Sequence, residues 1–198
     1  MNSNLILTFY VVPLLFGILF LTPLRTSISS QLVKKFPSLE NQTHQTLFGL
    51  TLIILSGFAV SAQTLWISNK ISEGGNFCSS ANVFDCDSVI GNAQYNTVPF
   101  LDNIPWGLVG MIAFAILLYF VRTVANDPQA EFVERHIKYG KTMTLMGLGV
   151  ILLLIYYEIK MGKICQYCTT AHVANIAAMF GFIELEKVYA TDEWKKLK

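Results

Sequence analysis

The chain carries four cysteines, Cys78, Cys86, Cys165 and Cys168, and their spacing sets out the chemistry open to it. Cys165-Gln166-Tyr167-Cys168 is a C-x-x-C pair. On a helix, residues i and i+3 share one face, so these thiols stand where a disulfide can close and reopen. The pair opens an apolar run, and a helix N-terminus offers unpaired N–H groups and partial positive charge that favour a thiolate. Lys163 adds a cation nearby. Cys78 and Cys86 enclose seven residues, among them Ser79, Ser80, Asn82 and Asp85, the composition of an exposed, flexible stretch. A disulfide there is open to attack by another protein's thiol. Other uses of four cysteines stand beside this one. Two structural disulfides would staple the loop, and a Cys₄ zinc site would need all four thiolates in a tetrahedron, for which the Cys78–Cys86 spacing is loose. A c-type haem needs C-x-x-C-H, and Thr169 follows Cys168, which excludes it.

The elements that must position these thiols belong in lipid. Of 198 residues, 53% are hydrophobic and 14% charged, where soluble domains carry about 25% charged; the mean hydropathy is +0.49. Fourteen Lys+Arg against thirteen Asp+Glu leave a net charge of +1, so no global basic field exists to hold nucleic acid. A transmembrane helix needs about 20 largely apolar residues. Five uncharged runs meet or approach that length: Met1 to Leu24, Asn41 to Asn69, Asn103 to Val121, Thr142 to Tyr157 and Ile164 to Ile183. Lys141, Glu158 and Lys160 can snorkel to the interfaces and extend the fourth to Gly140–Met161. The first run lacks a basic leader and a small-residue cleavage pattern before Arg25, so it reads as a helix. The expected fold is all-α and polytopic: a four-helix-bundle core over 45–187 with an external cysteine loop at 69–104, preceded by an N-terminal transmembrane helix and loop (1–44) and followed by a tail (188–198).

Counting Lys and Arg on alternate sides gives the orientation. Arg25, Lys34, Lys35, Arg122, Arg135, Lys138, Lys141, Lys187, Lys195, Lys196 and Lys198 fall on one side, and only Lys70, Lys160 and Lys163 on the other. Eleven against three predicts a multi-pass protein of the cell membrane with its N-terminus and all four cysteines outside and its C-terminus in the cytoplasm.

A disulfide at a membrane surface can exchange electrons with a soluble dithiol and, at depth, with a lipid-dissolved carrier. Quinones suit the second role because they take two electrons, partition into lipid and need only a pocket with a few polar groups, which residues around Cys168 can supply.

At this point the arrangement resembles the vitamin K epoxide reductase family. The likeness rests on a loop cysteine pair eight residues apart, the Cys86-Asp87-Ser88-Val89-Ile90 run, Ile104-Pro105 opening the next helix, and the C-x-x-C opening the last. It covers spans two to five, roughly Thr46 to Glu186, and leaves span one as an addition. A second membrane family of quinone-linked disulfide oxidases carries its C-x-x-C in the first external loop, the reverse order. The resemblance implies that Cys78 and Cys86 form a shuttle pair facing a thioredoxin-like partner, that Cys86 exchanges with Cys165, and that Cys168 faces a quinone of the ubiquinone or menaquinone class. Depth gives the same order, since Cys168 lies about 4.5 Å deeper than Cys165 at the helical rise. About 15 residues follow span five, so a prokaryotic type without a fused thioredoxin domain is expected, its partner a separate chain. Net oxidation of that partner supports disulfide formation. Reduction of a vitamin K epoxide or quinone by partner thiols would use the same cysteines, and a disulfide-stapled structural protein is the non-enzymatic reading.

The resemblance also points to quinone contacts. The family has Ser or Thr six residues after the second loop cysteine; Asn92 stands here, and its amide can donate to a quinone oxygen, as can the nearby Ser88 hydroxyl. His172, four after Cys168, matches a position that hydrogen-bonds the quinone carbonyl, and it can instead make an interhelical bond. Asn175 lies on the same stripe, suited to the ring or to helix packing. Trp106 can stack on the ring or anchor the interface. Asp85 is placed to cap a short helix starting at Cys86, with Val89 and Ile90 dipping toward lipid. Asp85 and Asp87 oppose a thiolate at Cys86 by like charge while that helix start favours it. Glu158, Tyr156 and Tyr157 read as an interfacial belt, and Asn126 to Tyr139 as a solvated linker.

Overall fold

The computed structural model describes residues 3–22, 41–78, 83–99, 104–191 and 194. Part of the expected orientation signal (Arg25, Lys34, Lys35, Lys195, Lys196 and Lys198), the ends of span one and Asn103 lie outside the described residues, as do Ser79, Ser80 and Asn82.

Five longer helices make the bundle: α1 (Ser3–Leu21), α2 (Gln42–Ser72), α5 (Trp106–Asn126), α6 (Val133–Met161) and α7 (Gln166–Tyr189), with two short ones, α3 (Cys86–Ile90) and α4 (Ala93–Asn96), in the cysteine loop. Among the described residues, α2, α5, α6 and α7 are long and apolar enough to cross a membrane, and α1 contributes a shorter apolar helix, Leu5–Leu21. The fold is an all-α, polytopic membrane protein. Pro13 lies inside α1, whose helix continues through it.

α2 begins where the Asn41 side chain accepts from the Thr43 N–H at 2.9 Å, which satisfies one of the donors that a helix start leaves unpaired. Its 31 residues reach about 46 Å, longer than the roughly 30 Å of hydrocarbon. α2 is the central element, packed against α1, α5 and α7, while α6 lies against α5 and α7. Leu50, Ile53 and Ile54 of α2 meet Leu117 and Val121 of α5 and Phe182 of α7 in the main apolar cluster. Lipid tails are as apolar as leucine, so close packing rather than water exclusion holds such helices together. The α1–α2 crossing shows this: a Cβ on Gly17 would sit 2.7 Å from the Gly49 carbonyl oxygen.

The helices of the core run past the expected spans, α6 and α7 furthest. α6 starts at Val133, inside the segment read as linker, and Lys138 donates to Glu134 at 2.5 Å one turn apart, a pairing that supports helix beyond the lipid edge. α7 continues to Tyr189, and its Glu186 accepts from Lys141 of α6 at 2.5 Å. At the same end, Trp194 Nε1 donates to the Pro128 carbonyl at 2.8 Å.

At the other end, α6 stops at Gly162, whose φ of 61° is the left-handed conformation that a residue without Cβ adopts freely. The tight turn so formed delivers Ile164 and Cys165 to the head of α7.

Candidate active site

Main-chain pairing brings the cysteine loop to that turn. The Ile164 N–H donates to the Val83 carbonyl at 2.8 Å and the Asp85 N–H to the Ile164 carbonyl at 3.1 Å, forming a parallel bridge at Phe84 and Ile164. Cys86 thus follows one arm of the bridge and Cys165 the other. Asp85 caps α3: its carboxylate accepts from the Ser88 N–H at 3.0 Å and the Ser88 hydroxyl at 2.6 Å, and Lys163 lies 3.6 Å from it. Val89 and Ile90, expected to face lipid, instead pack inward with Cys86, Val60 and Ile67 of α2, Cys165 and Tyr167, because the bridge rotates α3 onto the bundle.

Asp87 has a role that residue type alone does not reveal. Its carboxylate accepts from the backbone N–H of Phe77 at 2.9 Å and of Cys78 at 3.0 Å. The acidic residue of α3 therefore holds Cys78 beside Cys86. Both thiols are free, Cys86 buried and Cys78 half-buried.

The two thiols share a proton unequally. Cys86 is pulled below the usual thiol range, first by the hydrogen bond it accepts from Cys78, then by the backbone N–H groups of Tyr167 and Gln166, against the opposing effects of burial and Asp87. Cys78 is pushed up by that same hydrogen bond, by burial, and by the charges of Cys86, Asp87 and Asp85. Of the two, Cys86, which meets the N-terminus of α7, gives up its proton more readily.

Cys165 and Cys168 are paired as a disulfide with Cα atoms 5.2 Å apart. Cys165 is fully buried and is the N-cap of α7: its sulfur accepts from the Cys168 N–H at 3.2 Å. Its own N–H donates to Glu158 Oε1 at 3.1 Å.

Cys168 lies on the wall of a cavity of about 170 Å³ lined by α2, α5, α6, α7 and the cysteine loop. An apolar cavity of about 150 Å³ accepts a benzene ring, so this one has room for a single six-membered ring. Trp106 and His172 line it. Their ring nitrogens, Trp106 Nε1 and His172 Nε2, are buried with no hydrogen-bond partner among the described residues. Buried polar atoms normally have partners, and two such nitrogens, one from α5 and one from α7, on a largely apolar cavity suit a ring that carries oxygen atoms. Trp106 opens α5 directly after Pro105.

Asn175 also lines the cavity, and its Nδ2 donates to the Thr144 carbonyl of α6 at 3.0 Å, so it ties α7 to α6. Asn92 and Ser88 are not among the lining residues. The Asn92 side chain caps α4 by accepting from the Gln94 N–H at 3.0 Å, and the Ser88 hydroxyl is taken by Asp85; local capping holds both polar groups in the loop rather than in the cavity. The loop instead lends Val89, Tyr95 and Asn96 to the wall, fixed by Asn96 Nδ2 donating to Ser68 Oγ of α2 at 3.1 Å. The expected tyrosine belt divides. Tyr156 is exposed with the Lys160 ammonium over its ring, whereas Tyr157 and Glu158 turn into the cavity, as rotation by one and two positions on a helix dictates.

These features define a membrane-embedded helix bundle that sets two cysteine pairs against an intramembrane cavity. The chain matches the model of the Vitamin K epoxide reductase family over residues 48–182 and belongs to that family. The match takes in all four cysteines and leaves α1 outside. Members of the family are membrane oxidoreductases that act on thiols and disulfides and generally use a quinone as electron acceptor. No curated protein and no solved structure matches the chain.

Proposed function

We propose that the protein relays electron pairs from a separate thioredoxin-like protein to a membrane quinone of the ubiquinone or menaquinone class, oxidising that partner and so supporting disulfide formation. One observation carries the reading: the free Cys78–Cys86 pair meets, through Cys86, the head of the helix whose C-x-x-C disulfide borders the cavity. In the relay, a disulfide between Cys78 and Cys86 takes two electrons from the partner's dithiol. The Cys86 thiolate then attacks Cys165, and Cys168 leaves as a thiolate. Cys78 next attacks Cys86, which restores the loop disulfide and leaves Cys165 and Cys168 reduced. Closing the Cys165–Cys168 bond sends two electrons into the cavity and releases two protons. A bound quinone supplies the two-electron, two-proton acceptor, held by Trp106 and His172. Cys168, on the cavity wall, is the sulfur that meets it. The eleven-to-three charge asymmetry supports placing the cysteines outside the cell membrane, with the C-terminus in the cytoplasm.

The test is rapid-mixing reduction of a soluble quinone by dithiol-reduced protein. Cys165→Ala and Cys168→Ala should each abolish it, and Cys78→Ala should remove turnover with a protein dithiol while sparing part of the turnover driven by a small dithiol. Ordinary quinone reduction by Cys168→Ala would overturn the order of the relay.

A further inference from the structure

Glu158 is an ionisable side chain within a membrane-spanning helix, and the thiol relay makes no use of it. It sits near the C-terminal end of α6 and is 9% exposed. Carboxylates at such places are costly and, where retained, pair with another group or mark a proton path. Glu158 makes two contacts that bear on this. Its Oε1 accepts the Cys165 N–H at 3.1 Å, and its side chain lines the cavity with Cys168 and His172. The carboxyl thus holds the main chain of Cys165, the residue that bears the reacting sulfur three bonds further on, and borders the cavity as well. Capping a single N–H needs only a neutral oxygen. A group that can also hold a proton goes further than that task requires.

We propose that Glu158 is the proton-transfer group of Cys165, a role that rests on reading the cavity as the quinone site. When the reduced pair is reoxidised, the Cys165 S–H bond breaks and the Cys165–Cys168 bond forms. Two electrons pass to the acceptor in the cavity. The Cys165 proton moves to the Glu158 carboxylate and is released at the cavity wall, while the Cys168 proton leaves on the side of His172. The acceptor thus gains two electrons and two protons, the number the dithiol loses. The other titratable groups on this wall are Tyr157 of α6, Tyr95 of the loop, and Cys168 and His172 of α7; α2 and α5 present Ser61, Thr64 and Trp106, which do not titrate. Lys163, in the turn, lies 3.6 Å from Asp85.

Glu158→Gln keeps an oxygen for the Cys165 N–H and cannot carry a proton. It should slow quinone reduction by about 10²-fold or more, the range for loss of a general acid or base, and flatten one limb of the pH profile. An infrared difference spectrum between oxidised and dithiol-reduced protein, taken without quinone, gives a second readout. Wild-type protein should show a carboxyl band that responds to the Cys165–Cys168 redox state, Glu158→Asp should shift that band, and Glu158→Gln should lack it. The proposal is overturned if the wild-type spectrum shows no carboxyl response, or if Glu158→Gln reduces quinone within about threefold of wild type with the same pH profile. Should Glu158→Gln fail to fold, the wild-type and Glu158→Asp spectra decide. Because the band needs no quinone, a wild-type protein unable to reduce quinone would sink the cavity assignment separately from the proton step.

Discussion

Replacing Trp106 and His172 by Phe, one at a time, should weaken quinone use by amounts that tell a hydrogen-bond donor from a proton donor. Both nitrogens are buried on the cavity wall without a protein partner among the described residues. The indole N–H donates but does not release its proton, so Trp106→Phe measures the hydrogen bond alone. A neutral hydrogen bond is worth about 0.5–1.5 kcal/mol net, or roughly two- to twelvefold in kcat/KM. The imidazole of His172 can do either task, and as a required acid its loss would cost about 10²–10⁴-fold. With Glu158 carrying one proton and water at the mouth of the cavity able to carry the other, His172→Phe should fall in the smaller range, close to Trp106→Phe. The assay is stopped-flow reduction of a short-tailed quinone across a concentration series, beside the rate at which a small dithiol reduces the Cys78–Cys86 disulfide in the same variants. Phe keeps a ring at each position, and the thiol rate should stay within about twofold. An unchanged quinone KM in Trp106→Phe, or an equal fall in both rates, would refute the assignment of these nitrogens to the quinone.

Other expectations follow from the loop and the topology. Because Cys86 titrates below the usual thiol range, its thiolate persists as pH falls until that lowered value is crossed; alkylation by a small reagent should hold its plateau into more acid solution than a free cysteine, and Cys78→Ala, which removes the foremost cause, should move the midpoint up. Asp87→Ala leaves the Phe77 and Cys78 N–H groups without their carboxylate, and hydrogen bonds to a charged group are worth about 1.5–3 kcal/mol. Partner-driven turnover should fall roughly 10- to 100-fold while the quinone KM is unchanged, and an equal effect on both would contradict a role confined to Cys78. On intact cells after mild reduction, a membrane-impermeant thiol reagent should label Cys78, and a C-terminal tag should be reachable only after permeabilisation; a tag accessible from outside would reverse the orientation.

The four spans of the core and the cap were legible because their signals are local. An uncharged run of membrane length or an Asp before Cys86 reads the same whatever packs against it, and the Asp85 cap stands where the residue types place it. The C-x-x-C pair, Trp106 and His172 were legible for a related reason: all lie near the start of a helix, where spacing converts directly into facing. Glu158 was not. An acid at the end of an apolar run looks like an interfacial residue until the next helix is seen to begin within its reach, and only its place inside a span could have flagged it. Ser88 and Asn92 went the other way, since short polar side chains in a loop satisfy neighbouring N–H groups before they reach a cavity. The Phe84–Ile164 bridge has no side-chain signature at all, because both partners contribute main chain.

That bridge and the Cys78 thiol together decide between the opposing electrostatic signs at Cys86. From residue types alone, Asp85 and Asp87 flank the thiol with negative charge and should hold its proton on. In the structure each carboxylate is engaged elsewhere: Asp85 by Ser88 and Lys163, Asp87 by the N–H groups of Phe77 and Cys78. Their charge is partly compensated, and what they hold is geometry. Cys86 meanwhile meets the Cys78 thiol and two N–H groups at the head of α7, donors supplied by a segment about 80 residues away in sequence. Hydrogen bonds to the charged form outweigh two partnered charges at this distance. The same contact that lowers the Cys86 pKa sets its sulfur at the start of the helix bearing Cys165. Placement and part of the activation therefore share a structural cause, and a change that separates the bridge from the turn should lose the placement and the share of the activation that the two N–H groups supply, leaving the share due to Cys78.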